Sequence, residues 1–212
     1  MLLLHLALYI PFLPALLGVF KWKSLSQAQC WFVWMLCAIL VISISGELWQ
    51  KYSEHNNLPF FHVYILIEYF FLLQIFKLLL GKSLNITLWY SLRIGFLVLW
   101  ILNVSINNGW WGFPDYIHAL EALIVLSLVV MWLAKTLREK VVSNPEKTFE
   151  FWFCSGLLVF FSGNFLLFFF STFLLSIEMA AYDAIWKVHC ILIIILYVLY
   201  TVALLWIKKI IK

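Results

Sequence analysis

The sequence predicts an all-α membrane protein, a bundle of seven transmembrane helices, and three observations predict it. Of 212 residues, 66% are hydrophobic and only 11% charged, with a mean hydropathy of +1.03. Soluble domains carry roughly 25% charged residues. The apolar residues fall in runs of about 20, the helical length needed to cross a hydrocarbon core. Finally, eleven of the 14 Lys and Arg fall in alternate connections, as expected when an odd number of spans sorts basic residues to the cytoplasmic side.

In chain order the predicted spans are Leu2–Phe20, Cys30–Trp49, Phe60–Leu80, Leu84–Ile106, Asp115–Leu133, Phe151–Ile177 and Asp183–Ile207. They form one domain over residues 1–212, with short connections. Pro11 and Pro14 predict a kink in the first span, which membrane helices tolerate. That run is read as a retained helix, because no basic residue precedes it and no A-x-A site follows. Lys21, Lys23, Lys77, Lys82, Lys135, Arg138, Lys140, Lys147, Lys208, Lys209 and Lys212 mark one side. Lys51, Glu54, Asp115, Glu178 and Asp183 mark the other. The expected orientation is N-terminus outside and C-terminus cytoplasmic. This bias accounts for the net charge of +4, and no nucleic-acid partner is inferred from it.

Cys30, Cys37, Cys154 and Cys190 all lie inside spans, so no disulfide framework is expected. Asn85-Ile-Thr and Asn103-Val-Ser match the glycosylation pattern, but at a cytoplasmic turn and inside a span. Ser155-Gly156 and Ser162-Gly163 predict close approach of a neighbouring helix.

Ionisable residues inside spans are costly and mark functional candidates. Glu68 stands in "FHVYILIEYFFLLQIFK", about 12 Å below the outer end of its span at 1.5 Å per residue. Arg93 stands at similar depth in the next span, and a buried Glu68–Arg93 ion pair is expected. Further polar residues sit in the outer half: Glu47, His62, His118, Glu121, Asn164, Lys187 and His189. Together with Glu68 they are the expected ligand-binding set, lining an outward-opening cavity. His118 and Glu121, at i and i+3, share a helical face. Tyr182, His189 and Tyr200 share another, with Trp186 beside them; Arg93, Trp100 and Asn107 form a stripe with Asn103 near it. For His62, His118 and Lys187 the competing reading is a position at the headgroups, meeting water.

No catalytic residue, cofactor or metal-ligand set is assigned. There is no H-E-x-x-H, and no histidine pair at i, i+4. Seven-span ceramidase-type hydrolases carry an H-x-x-x-H pair in the last span, which this chain lacks. Asp183-x-x-x-Lys187 matches the retinal lysine pattern of microbial rhodopsins, but the lysine falls too near the outer mouth. Transport would call for inverted repeats or helices broken near the midplane; only the first span contains prolines.

Three stretches carry a resemblance: "HVYILIEYFFL", "FEFWFCSGLLVFFSGNFLLFFFS" and "IWKVHCILIIILYVLY". They are similar to uncharacterised seven-span membrane proteins common in Bacteroidota, with His62 and Glu68, then Trp152, Gly156, Ser162 and Gly163, then Trp186 and His189 at the matching positions. Those proteins are often encoded beside small sensor histidine kinases. The resemblance implies a signalling role in a bacterial inner membrane. The function expected is that of a receptor-like protein: a small or lipidic ligand enters from outside and a cytoplasmic partner, a sensor histidine kinase, reads the change. The alternatives are a membrane-embedded lipid hydrolase, metal-dependent or not, and a structural membrane subunit.

Overall fold

The computed structural model describes residues 2–53, 55–106, 109–139, 144–170 and 179–207. Glu54, Asn107, Lys140, residues 171–178 with Glu178 and the end of the sixth expected span, and Lys208, Lys209 and Lys212 lie outside the described residues. Eight α-helices make up the described chain: α1 (Leu2–Tyr9), α2 (Phe12–Phe20), α3 (Gln27–Tyr52), α4 (Leu58–Leu80), α5 (Ile86–Ile106), α6 (Asp115–Glu139), α7 (Phe149–Phe169) and α8 (Met179–Leu205). Six of them, α3 to α8, are long and apolar enough to cross a membrane; a shorter apolar helical stretch precedes them. The chain reads as a multi-pass membrane protein.

The expected kink in the first span falls at Pro11, where α1 gives way to α2. Pro11 lacks an N–H and its ring opposes the preceding turn, so α1 ends and α2 starts anew. Pro14 does no such damage because it sits in the first turn of α2, where backbone N–H groups have no helical partner.

Local chemistry sets the other ends. Ser26 and Gln29 close a reciprocal capping box on α3, with Gln29 Oε1 accepting from Ser26 N at 2.9 Å. Gly81, at φ +57°, stops α4. Asn85 Oδ1 accepts from Thr87 N at 2.9 Å at the start of α5, which gives this asparagine a structural use. Thr148 accepts from Phe151 N to cap α7.

Six members close a ring: the α1–α2 pair, α3, α4, α6, α7 and α8, with α8 packing back on α1 and α2. Helix α5 stands outside, against α4 and α6. Tyr69 of α4 holds it, stacked on Phe96 with centroids 3.6 Å apart and donating to Leu92 O at 3.0 Å. The α7–α8 approach is as tight as the glycines predict. A Cβ on Gly163 would fall 2.8 Å from a Leu192 methyl, and one on Gly156 would touch Leu196, Leu199 and Tyr200.

At one end of the ring Phe32 sets its ring edge against Phe149, Phe153 and Tyr200, joining α3, α7 and α8. Basic side chains finish the same end. Lys21 Nζ donates to Leu204 O at 2.8 Å, and Lys135 Nζ donates to Leu79 O and Leu80 O at 3.1 and 3.0 Å. These lysines neutralise the orphan carbonyls and negative dipole ends of α8 and α4. Part of the basic excess at this end is therefore structural. The opposite end carries the polar residues.

Candidate functional site

The turn between α5 and α6 folds over that polar end. His62, in the second turn of α4, donates from Nε2 to Gly112 O at 2.9 Å, while its own carbonyl accepts from Trp100 Nε1 at 3.0 Å. Trp110 lies edge-on to both His62 and Trp100. Phe113 reaches Phe61 and Trp186. His62 is thus a fastener for an aromatic cap: it ties α4, α5 and the turn together.

Beneath the cap, Phe61 meets the edge of His118 at 5.1 Å. One turn along α6, Glu121 Oε2 lies 3.9 Å from His118 Nε2, the expected shared face. Across the ring, Asn164 of α7 donates from Nδ2 to Phe160 O at 2.9 Å. Its Oδ1 is therefore the acceptor for His189 Nδ1, at 2.7 Å, and that ring nitrogen carries the hydrogen. His189 also meets Trp186, at 5.1 Å. Helix α8 begins at Met179, which puts His189 ten residues in.

Deeper still, Tyr64 donates to Glu68 Oε1 at 3.2 Å, one helical turn apart on α4. Tyr197 and Tyr200 of α8 close this level. Tyr64 lies within electrostatic reach of Glu68, Glu121, Tyr197 and Tyr200, and Glu68 within reach of Glu121. The result is a polar column inside the ring, from His118 and His189 through Glu121 to Glu68 and the three tyrosines.

Most of this column is buried, with Tyr64 and His189 partly exposed. Glu121 and Asn164 are fully buried, and Glu68, His62 and His118 expose no more than 2% of their surface. Glu47 and Lys187 stand apart from the column, exposed on α3 and α8.

The Glu68–Arg93 pair does not form. Arg93 is exposed, with its guanidinium over the rings of Trp89 and Phe70 at 5.0 and 5.1 Å. The reason is angular. Phe70 lies about 160° around α4 from Glu68 at 3.6 residues per turn, so α5 packs on one side of α4 while Glu68 points to the other. Of the other stripe members, Trp100 and Asn103 are buried. Tyr64 and Tyr197 were not among the expected site residues. The signal for Tyr64 was its i, i+4 spacing to Glu68, and for Tyr197 its place on the His189 face.

Among the described residues no three His, Cys, Asp or Glu side chains come together as a metal-holding group. Compared with known protein families, curated proteins and solved structures, the chain matches none.

Proposed function

We propose that this chain is a seven-helix sensory protein of a bacterial cytoplasmic membrane, with α1 and α2 together forming the first span, the N-terminus outside and the C-terminus inside. It takes a small or lipidic ligand from the outer side into the column of Glu68, His118, Glu121, Asn164 and His189. A cytoplasmic partner, a sensor histidine kinase, reads the change. One observation carries the reading: a polar column drawn from α4, α6, α7 and α8 is enclosed in an apolar ring, with carboxylate oxygens that accept no hydrogen bond. Buried polar groups without partners are expensive, so a bound molecule that satisfies them gains affinity. Occupancy changes the packing between four helices at once, a differential interaction of the kind a two-state switch needs.

The connections between helices are too short to house a soluble domain, so the change leaves through helix ends. There Lys21 and Lys135 bind α8 and α4 to their neighbours. A shift of α4 against α6 in the column would be felt directly at the Lys135 staple.

A tagged pull-down from native membranes, with mass spectrometry of bound proteins, tests this. Stoichiometric recovery of a sensor kinase, with its output altered by Glu121→Gln, is the expected result. Recovery of the folded protein without a kinase overturns the signalling reading. Lipid hydrolysis by the purified protein, lost in His118→Phe, would establish the hydrolase alternative instead.

A further inference from the structure

The outlying helix α5 carries a hollow on its surface that the ring does not use. It has a volume of about 540 Å³ and is lined by Ile86, Thr87, Tyr90, Ser91, Ile94 and Gly95. Thr87, Ser91 and Gly95 recur at four-residue intervals, so three small residues share one helical face and form its floor. A Cβ added at Gly95 would meet nothing within 4 Å. Ile86, Tyr90 and Ile94 are exposed and stand as its walls.

Two cations flank this hollow, and neither is engaged as other cations of the lysine-rich end are. Lys21, Lys77 and Lys135 donate to backbone carbonyls, Lys77 to Leu84 O at 2.7 Å. Lys82, by contrast, is exposed in the turn just before α5. Arg93 is exposed about 10 Å beyond Ile86, at 1.5 Å per residue. Ile86 and Tyr90 lie about 20° and 60° around α5 from Arg93, so the arginine borders the hollow. Its guanidinium lies over Trp89, 5.0 Å from the ring centroid and one turn nearer the α5 N-terminus. Among the described residues no Asp or Glu pairs with either cation. A guanidinium facing lipid at this depth is costly unless it meets an anion. The α5 N-terminus adds its positive dipole end on the same side.

We propose that this hollow seats one anionic phospholipid of the surrounding bilayer. Its phosphodiester lies between Arg93 and Lys82 at the α5 N-terminus, and an acyl chain runs along Thr87, Ser91 and Gly95. Charge complementarity selects this occupant. Helix α5 holds no Asp or Glu, so a second copy packed here through its own α5 would bring another arginine and no counter-charge. A phosphate offers the guanidinium paired oxygens in the fork geometry it prefers. Basic pockets between membrane helices bind lipid headgroups on the same principle. A zwitterionic headgroup would bring a third cation beside the two present, so a net negative headgroup is favoured. The site stands apart from the polar column, on the other side of α4 from Glu68. A lipid seated there gives α5 a further anchor beside Tyr69.

The test uses purified full-length protein in non-ionic detergent, with phosphatidylglycerol and phosphatidylcholine of matched acyl chains added in equal amounts. Native mass spectrometry counts the lipids retained per chain. The expected result is one phosphatidylglycerol, retained severalfold over phosphatidylcholine. Arg93→Gln and Lys82→Gln each lower that retention about fivefold, while Arg93→Lys keeps most of it. Gly95→Leu fills the hollow and leaves both cations in place. Its side chain enters open space, so Tm holds while the lipid is lost. Arg138→Gln removes an exposed cation of α6 and leaves retention unchanged. Equal retention of the two lipids, or phosphatidylglycerol binding that survives both Arg93→Gln and Gly95→Leu, overturns the site. A loss in Arg138→Gln equal to that in Arg93→Gln overturns it too, as diffuse attraction to a basic face. A dimer that retains no lipid and is dissolved by Gly95→Leu overturns the lipid assignment in favour of a second copy.

Discussion

The ring interior and the outlying helix α5 carry the deepest charges of this protein in opposite surroundings. Inside, Glu68 and Glu121 are sealed among Tyr64, His118 and the α8 tyrosines. Outside, Arg93 is exposed and lies on two aromatic faces. Half of the most apolar stretch of α6 is buried, against 22% for α5. The same problem, a charge at membrane depth, is solved in two ways. A short carboxylate cannot reach the interface and must find partners inside. Arginine is long, and in a helix its side chain leans toward the N-terminus, which for α5 is the lysine-rich end; it snorkels over Trp89 in that direction. Depth alone does not say which solution a residue uses; the direction it faces does.

Substitutions sharpen this contrast, and unfolding in detergent or mixed micelles measures them. The largest effect belongs to the ring core. Phe32→Ala removes an aromatic that touches three others and should cost about 3–5 kcal/mol. Next comes the column: Asn164→Leu removes the acceptor of the part-buried His189 Nδ1–H and should cost about 1–3 kcal/mol. A loss below that range would mean His189 turns to another acceptor. At the lysine staple, Lys135→Ala gives up two carbonyl contacts at the C-terminus of α4, for a loss of about 1 kcal/mol. The smallest effect is on α5. Arg93→Gln loses only exposed cation–π contacts, about 0.5 kcal/mol. If Arg93→Gln proved as damaging as Asn164→Leu, the inside–outside contrast would collapse.

Much of the fold was legible because run length and helix breakers are local signals. The helices follow the apolar runs, the break follows Pro11, and the α7–α8 contact follows Gly156 and Gly163. His118 and Glu121 were legible as neighbours because helical spacing is local too. What sequence did not reveal was direction around each helix. In a membrane the lipid-facing and core-facing sides are both apolar, so the pattern that orients a soluble helix is weak. Glu68 and Arg93 matched in depth and were paired on that ground, yet they face opposite ways. His189 was legible as part of the polar set, but its bond to Asn164 of α7 depends on which helix faces it. Glu47 and Lys187 looked like their neighbours in the outer half and turn outward. That α5 stands outside the ring depends on which helices meet, which no single span records.

The most direct test of this account is a double-mutant cycle with Glu68→Gln, Arg93→Gln and the combined variant, read as unfolding free energy in mixed micelles. Residues on opposite sides of α4 with no shared partner should add, so the account predicts a coupling energy within about 0.5 kcal/mol of zero. A coupling of about 1–3 kcal/mol would show that the two charges sense each other, and would contradict the placement of Glu68 inside the ring and Arg93 outside it.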